Sequence, residues 1–149
     1  MTRVLLTLAL VATSCAAPNG PWRVQGVASA AEEAQALQLV EAARAVLPDE
    51  KGWLAQGGHI YLFPDVRGVC SVPPPKVPTG CCTTGRVWVL HPHPVGGYDV
   101  ARSALAHELA HLGLASGGGF GGPLDLVSEA RADAGALLVV QEYRRATAP

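Results

Sequence analysis

At 149 residues the chain has room for one domain around one modest hydrophobic core, and nothing in its length asks for a second. A formal net charge of -1 with only 15% charged residues gives no reason to expect a nucleic-acid partner, which would need a clustered basic field. The 49% hydrophobic fraction rests on alanine and valine rather than aromatics, so the core is expected to be built from small aliphatic side chains.

The N-terminus runs from Met1-Thr2-Arg3 through an apolar stretch, Val4 to Ala12, into Thr13-Ser14-Cys15-Ala16-Ala17, the charged, apolar and small-residue order of a secretory signal. The apolar stretch falls short of the roughly 20 residues a spanning helix needs. Residues 1–17 are therefore expected to direct export and to lie outside the fold. Ala12-Thr13-Ser14-Cys15 also resembles the lipobox of bacterial lipoproteins, which implies lipidation of Cys15 and attachment of the product to a membrane in the cell envelope. Cleavage after Ala17 with release of a secreted product is the alternative.

Residues 18–28 read as an extended tether. Ser29 then caps an alanine-rich stretch in which Leu37, Val40, Ala43 and Val46 recur at helical spacing, and a helix is predicted to end near Pro48. His59 to Phe63 and Arg86 to Leu90 are short β-prone runs stopped by Pro64 and Pro92, and both are predicted strands. The Cys/Pro/Gly segment between them is expected to stay out of the sheet. Export leaves Cys70, Cys81 and Cys82 as candidates for pairing, an odd number. One disulfide from Cys70 to Cys81 or to Cys82 is expected, with one thiol left over; adjacent cysteines fit disulfide geometry poorly, and the spacing lacks the paired knuckles of a structural zinc site.

Asp99 can cap a helix from about Val100 to Leu112, ended by Gly113. A glycine-rich loop, Gly117 to Gly122, would let the chain fold back, and Asp125 or Ser128 opens a last long helix ending in Arg144-Arg145.

The first of these two helices contains His107-Glu108-Leu109-Ala110-His111. Side chains at i and i+4 lie one above the other, so the two imidazoles can bind one ion. A hydrolytic zinc site takes three protein ligands and keeps a fourth position open, so one more donor is required. Glu129, near the start of the last helix, is the candidate, with Asp125 its rival. Asp133, one turn further on the same face, can accept a hydrogen bond from the outward nitrogen of a ligating histidine.

His107 to His111 followed by Ser128-Glu129-Ala130-Arg131-Ala132-Asp133 resembles the HExxH…ExxxD signature of gluzincin-type zinc metallopeptidases, over about a third of the chain. The resemblance implies zinc held by His107, His111 and Glu129, with Glu108 as general base and Asp133 behind a ligand. It also implies hydrolysis of a peptide or protein substrate, paired as an extended segment with the strand near Arg86 to Leu90. Tyr98, Tyr143, His91 and His93 are candidates for stabilising the oxyanion. The expected fold is α+β: a minimal zincin-like single domain over residues 29–149, with an N-terminal helix, a short antiparallel or mixed sheet, the HExxH helix and the glutamate-bearing helix. An exported domain that binds zinc without turnover is the second function class.

Overall fold

The computed structural model describes residues 20–70, 78–92, 99, 104–115 and 126–149. The predicted signal with Cys15, the glycine-rich loop, Asp125, His93 and Tyr98 lie outside these described residues. The architecture is α+β: among the described residues there are four helices and one four-stranded mixed sheet.

In chain order the elements are β1 (Trp22–Gly26), α1 (Ala30–Val46), α2 (Trp53–Gln56), β2 (Gly58–Phe63), β3 (Gly80–Thr83), β4 (Arg86–Leu90), α3 (Ala104–Gly113) and α4 (Leu126–Thr147). The sheet order is β1-β2-β4-β3, with β1, β2 and β4 parallel and β3 antiparallel to β4. Three elements depart from the sequence reading. The segment expected to be a tether is an edge strand, because Val24 pairs opposite Ile60 and the Trp22 indole donates to the Leu54 carbonyl at 2.9 Å. The turn α2 forms where the Asp49 carboxylate accepts from the Leu54 and Ala55 amides. The end of the cysteine-rich segment joins the sheet as β3, through a two-residue turn at Thr84-Gly85 whose glycine sits at φ +75°.

Helix α1 begins with a reciprocal cap: the Glu32 amide donates to Ser29 Oγ at 3.3 Å, and the Ser29 amide donates to the Glu32 carboxylate at 2.7 Å. The other Glu32 oxygen accepts from His91 Nε2 at 3.1 Å, tying the start of α1 to the end of β4.

Period-two alternation divides the sheet. Ile60, Leu62, Val87 and Val89 point into the main core with Leu39, Val40, Leu105 and Leu109 of α1 and α3. Tyr61, Phe63, Trp88 and Leu90 face the other side, where Val66 and Cys70 cover Trp88. The register sets Cys81 opposite Trp88 on that outer face and Cys82 opposite Val87 on the core face. Cys70 and Cys81 form a disulfide with Cα atoms 5.6 Å apart, and Cys82 is a buried free thiol. Among the described residues no helix is long and apolar enough to cross a membrane.

Candidate metal centre

Helix α3 is rich in leucine and alanine, strong helix formers, and buries Leu105, Leu109 and Leu112 in the core. His107 and His111 are one turn apart on the face that meets α4, with ring centroids 4.7 Å apart and planes at 79°. A Cβ added to Gly135 of α4 would lie 2.9 Å from the Ala110 Cβ, closer than a real side chain sits. The missing side chain therefore lets α4 come down on α3 between the two histidines' turns and bring Glu129, in its first turn, over the rings.

The three donors converge. His107 Nε2 lies 3.0 Å from His111 Nε2 and 3.2 Å from Glu129 Oε2, and His111 Nε2 lies 3.3 Å from Glu129 Oε1. Ligands about 2.0–2.1 Å from a tetrahedral zinc are separated by about 3.3 Å along each edge. The two imidazoles each approach one of the two Glu129 oxygens at about this spacing, and one donor atom from each of His107, His111 and Glu129 lies within 4.8 Å of the others, so the three residues could hold a metal ion.

Protonation points the same way. His107 Nδ1 is 2.9 Å from Asp133 Oδ1, and a carboxylate only accepts, so the proton is on Nδ1. In a neutral imidazole Nε2 then presents a lone pair to the lone pairs of Glu129 at 3.2 Å. A proton shared between the two groups or a metal cation between them would satisfy that contact.

Glu108, next to His107 on α3, packs against β3 and is 7% exposed. A Cβ on Gly80 would be 3.2 Å from Glu108 Cγ and 3.1 Å from Ala104 Cβ, so the glycine lets β3 run close against α3. Cys82 lies on the same core-facing side of β3 as Gly80, near the Glu108 carboxylate. Burial pushes the Glu108 carboxyl up to about 7, and the nearby Glu129 carboxylate adds to the rise, against the pull of His107 and of the neighbouring Cys82 thiol. Burial also pushes the Cys82 thiol far above its ordinary range, with the Glu108 charge adding to it.

His107, His111 and Glu129 thus come together with Asp133 behind His107, while Glu108, on the same helix as the two histidines, packs toward β3. Two further expectations are corrected. The strand Arg86–Leu90 is interior, between β2 and β3, so it offers no free edge; the edge beside α3 is β3. Tyr143 is 14 residues beyond Glu129 on α4, roughly 21 Å along the axis at 1.5 Å per residue, and packs against the core. His91 is buried and engaged with Glu32. Gly80 went unnoticed in the sequence reading and Cys82 was read there only as a candidate for pairing, although the Thr84-Gly85 turn before a β-prone run is a hairpin signal that would have made this segment a strand beside β4.

Fold and site together define an α+β domain with a candidate metal centre of two imidazoles and one carboxylate. No protein-family model, curated protein or solved structure matches the chain, so the reading of this centre rests on its own geometry.

Proposed function

We propose that the chain is an exported zinc metallopeptidase of the gluzincin type, in which His107, His111 and Glu129 hold the metal and Glu108 is the general base. The observation that carries this reading is the convergence of two imidazoles and one carboxylate from two helices, with their donor atoms within 4.8 Å of one another, beside a buried carboxylate. Two imidazoles and one carboxylate are the donor set of hydrolytic zinc sites, which keep a further position open. The metal supplies Lewis acidity toward water and the scissile carbonyl.

The chain's own residues do the rest. Asp133 holds the His107 ring in the tautomer that presents Nε2 inward. Glu108 accepts the proton of the attacking water and delivers it to the leaving amine, a transfer suited to a carboxyl whose pKa stands near neutrality. An extended substrate can add to the edge of β3, which pairs with no further strand among the described residues, and its backbone would then run alongside α3. A disulfide beside this strand supports export to an oxidising compartment.

The test is zinc content per chain together with hydrolysis of denatured casein and of a mixed quenched-fluorescent peptide library. Glu108→Gln is expected to keep its zinc and lose hydrolysis by about 100-fold or more. Full activity in that variant refutes Glu108 as base, and a wild-type chain that takes up no zinc removes the reading altogether. Zinc uptake with no cleavage of any probe moves the protein to the class of metal-binding domains without turnover.

A further inference from the structure

Helix α4 is apolar on two sides. Ser128, Ala132, Gly135 and Val139 are buried where it packs on α3 and α1. On the opposite side Leu126, Val127, Leu137 and Leu138 are 50% to 80% exposed, and Ala130 and Ala134 between them are exposed as well. Four of the six exposed large hydrophobics among the described residues thus fall on one helix face, where single scattered ones would be ordinary. Arg131 and Asp133 border this strip on its two flanks, and Gln141, Arg144 and Arg145 follow beyond its end, so it has the polar rim of a contact surface.

The order of side chains along the strip points to its occupant. Leu126 and Leu138 lie six residues on either side of Ala132, Val127 and Leu137 five, and Ala130 and Ala134 two. The strip is therefore the same in both directions, with large side chains at its ends and alanines in the middle. A two-fold axis at the level of Ala132 that sets α4 antiparallel to a copy of itself brings Leu126 beside Leu138, Val127 beside Leu137 and Ala130 beside Ala134. Each contact is made twice, which is the self-complementarity an isologous interface requires. At about 100° per residue the two members of each pair fall on opposite flanks of the strip, so side chains of the two helices interleave rather than collide. The central alanines let the backbones come close.

We propose that this face of α4 is the contact of a homodimer, in which two copies of the chain pack antiparallel about Ala132. The strip is about 18 Å long at 1.5 Å per residue, short of a standard-sized interface, so the dimer is weak and reversible. Its middle lies roughly 120° round α4 from Glu129, so the contact faces away from the metal centre. The inference does not depend on what that centre does.

The test is sedimentation velocity of the metal-free full chain over about 5 to 500 μM, on wild type, Ala130→Glu, Ala134→Lys and an equimolar mixture of the two variants. The wild type is expected to pass from monomer to dimer as concentration rises. Each variant is expected to weaken association at least about tenfold, because it buries a charge opposite an alanine. The mixture is expected to recover association to within about threefold of wild type, because the introduced carboxylate and ammonium then face each other across the axis. Both positions are exposed in the single chain, so circular dichroism should show the fold unchanged.

A wild type that stays monomeric throughout overturns the dimer, and association that neither variant weakens overturns this face as its contact. A mixture no better than the separate variants overturns the antiparallel arrangement. A monomeric wild type that co-sediments with phosphatidylcholine vesicles, and loses this in Leu137→Glu, overturns the proposal in favour of a lipid surface.

Discussion

Replacing Glu108 with glutamine should abolish a pH dependence of stability that the wild-type chain carries when metal-free. The carboxyl has an ordinary value of 4.5 and stands at about 7 in the fold, chiefly through burial. Below 4.5 it is protonated in both folded and unfolded chains and contributes no difference. Between 4.5 and about 7 the unfolded chain gives up its proton while the folded chain retains it, so stability falls as pH rises through this window and levels off above it. At 1.36 kcal/mol per pH unit the loss is about 3 kcal/mol, a large share of the 5–15 kcal/mol typical of a whole domain. In thermal unfolding this corresponds to roughly 10 °C.

The carboxyls of Glu32, Asp65 and Glu142 are held below their ordinary values by hydrogen bonds to Ser29, Arg67 and Arg145, so their contribution has the opposite sign and is gained as pH rises toward 4.5. It belongs to a lower window and is the same in both proteins. The assay is therefore the difference between wild type and Glu108→Gln, by urea or thermal unfolding in chelator, at intervals from pH 4.5 to 8. The wild type should lose stability across this range relative to the variant, and saturating zinc should flatten the difference, because a nearby cation favours the ionised carboxylate. A difference that stays constant from pH 4.5 to 8 in chelator would refute the assignment of Glu108 as a buried carboxyl held near neutrality.

Other perturbations read other parts of the centre. Asp133→Ala should weaken zinc affinity about 10- to 100-fold in a competitive chelator titration while leaving the fold intact, and Glu129→Ala should weaken it further; equal affinities in all three proteins would remove both residues from the site. Gly135→Leu should force α4 off Ala110 and Leu114, costing roughly 1–3 kcal/mol in denaturant unfolding and lowering zinc affinity together with it. Cys70→Ser opens the disulfide to Cys81, a separation of 11 residues, and should cost about 3 kcal/mol by the same measurement.

What could be read from the sequence follows the range of the interactions involved. The HExxH histidines are four residues apart on one helix, and Glu129 and Asp133 are four apart on the next, so helical periodicity alone puts each pair on one face. Ser29 and Glu32 mark the start of α1 by the same local logic. The elements that were missed are held by distant partners. Trp22 to Gly26 has no strong β pattern of its own and becomes a strand through pairing with Gly58 to Leu62 and through the Trp22 indole on Leu54. Gly80 to Thr83 is a poor strand by propensity, and its place depends on the hairpin with β4 and on a helix that follows later in the chain. The rings' approach to Glu129 could be anticipated, but the approach of β3 to Glu108 could not, because nothing local encodes a contact between a strand glycine and a helix 28 residues away.

Strand β3 therefore joins two surfaces of the sheet at one point. Because side chains alternate, Cys81 and Cys82 have to face opposite sides, and a slip of one residue against β4 would send the thiol outward and the disulfide partner inward. Pairing of Cys81 with Cys70 over Trp88 excludes that slip, since Cys70 lies on the outer face alone. The covalent link on one side of the sheet thus fixes which sulfur faces the core on the other. A four-residue edge strand with few ladder bonds of its own would otherwise be free to shift, and with it the glycine against which the Glu108 side chain is packed.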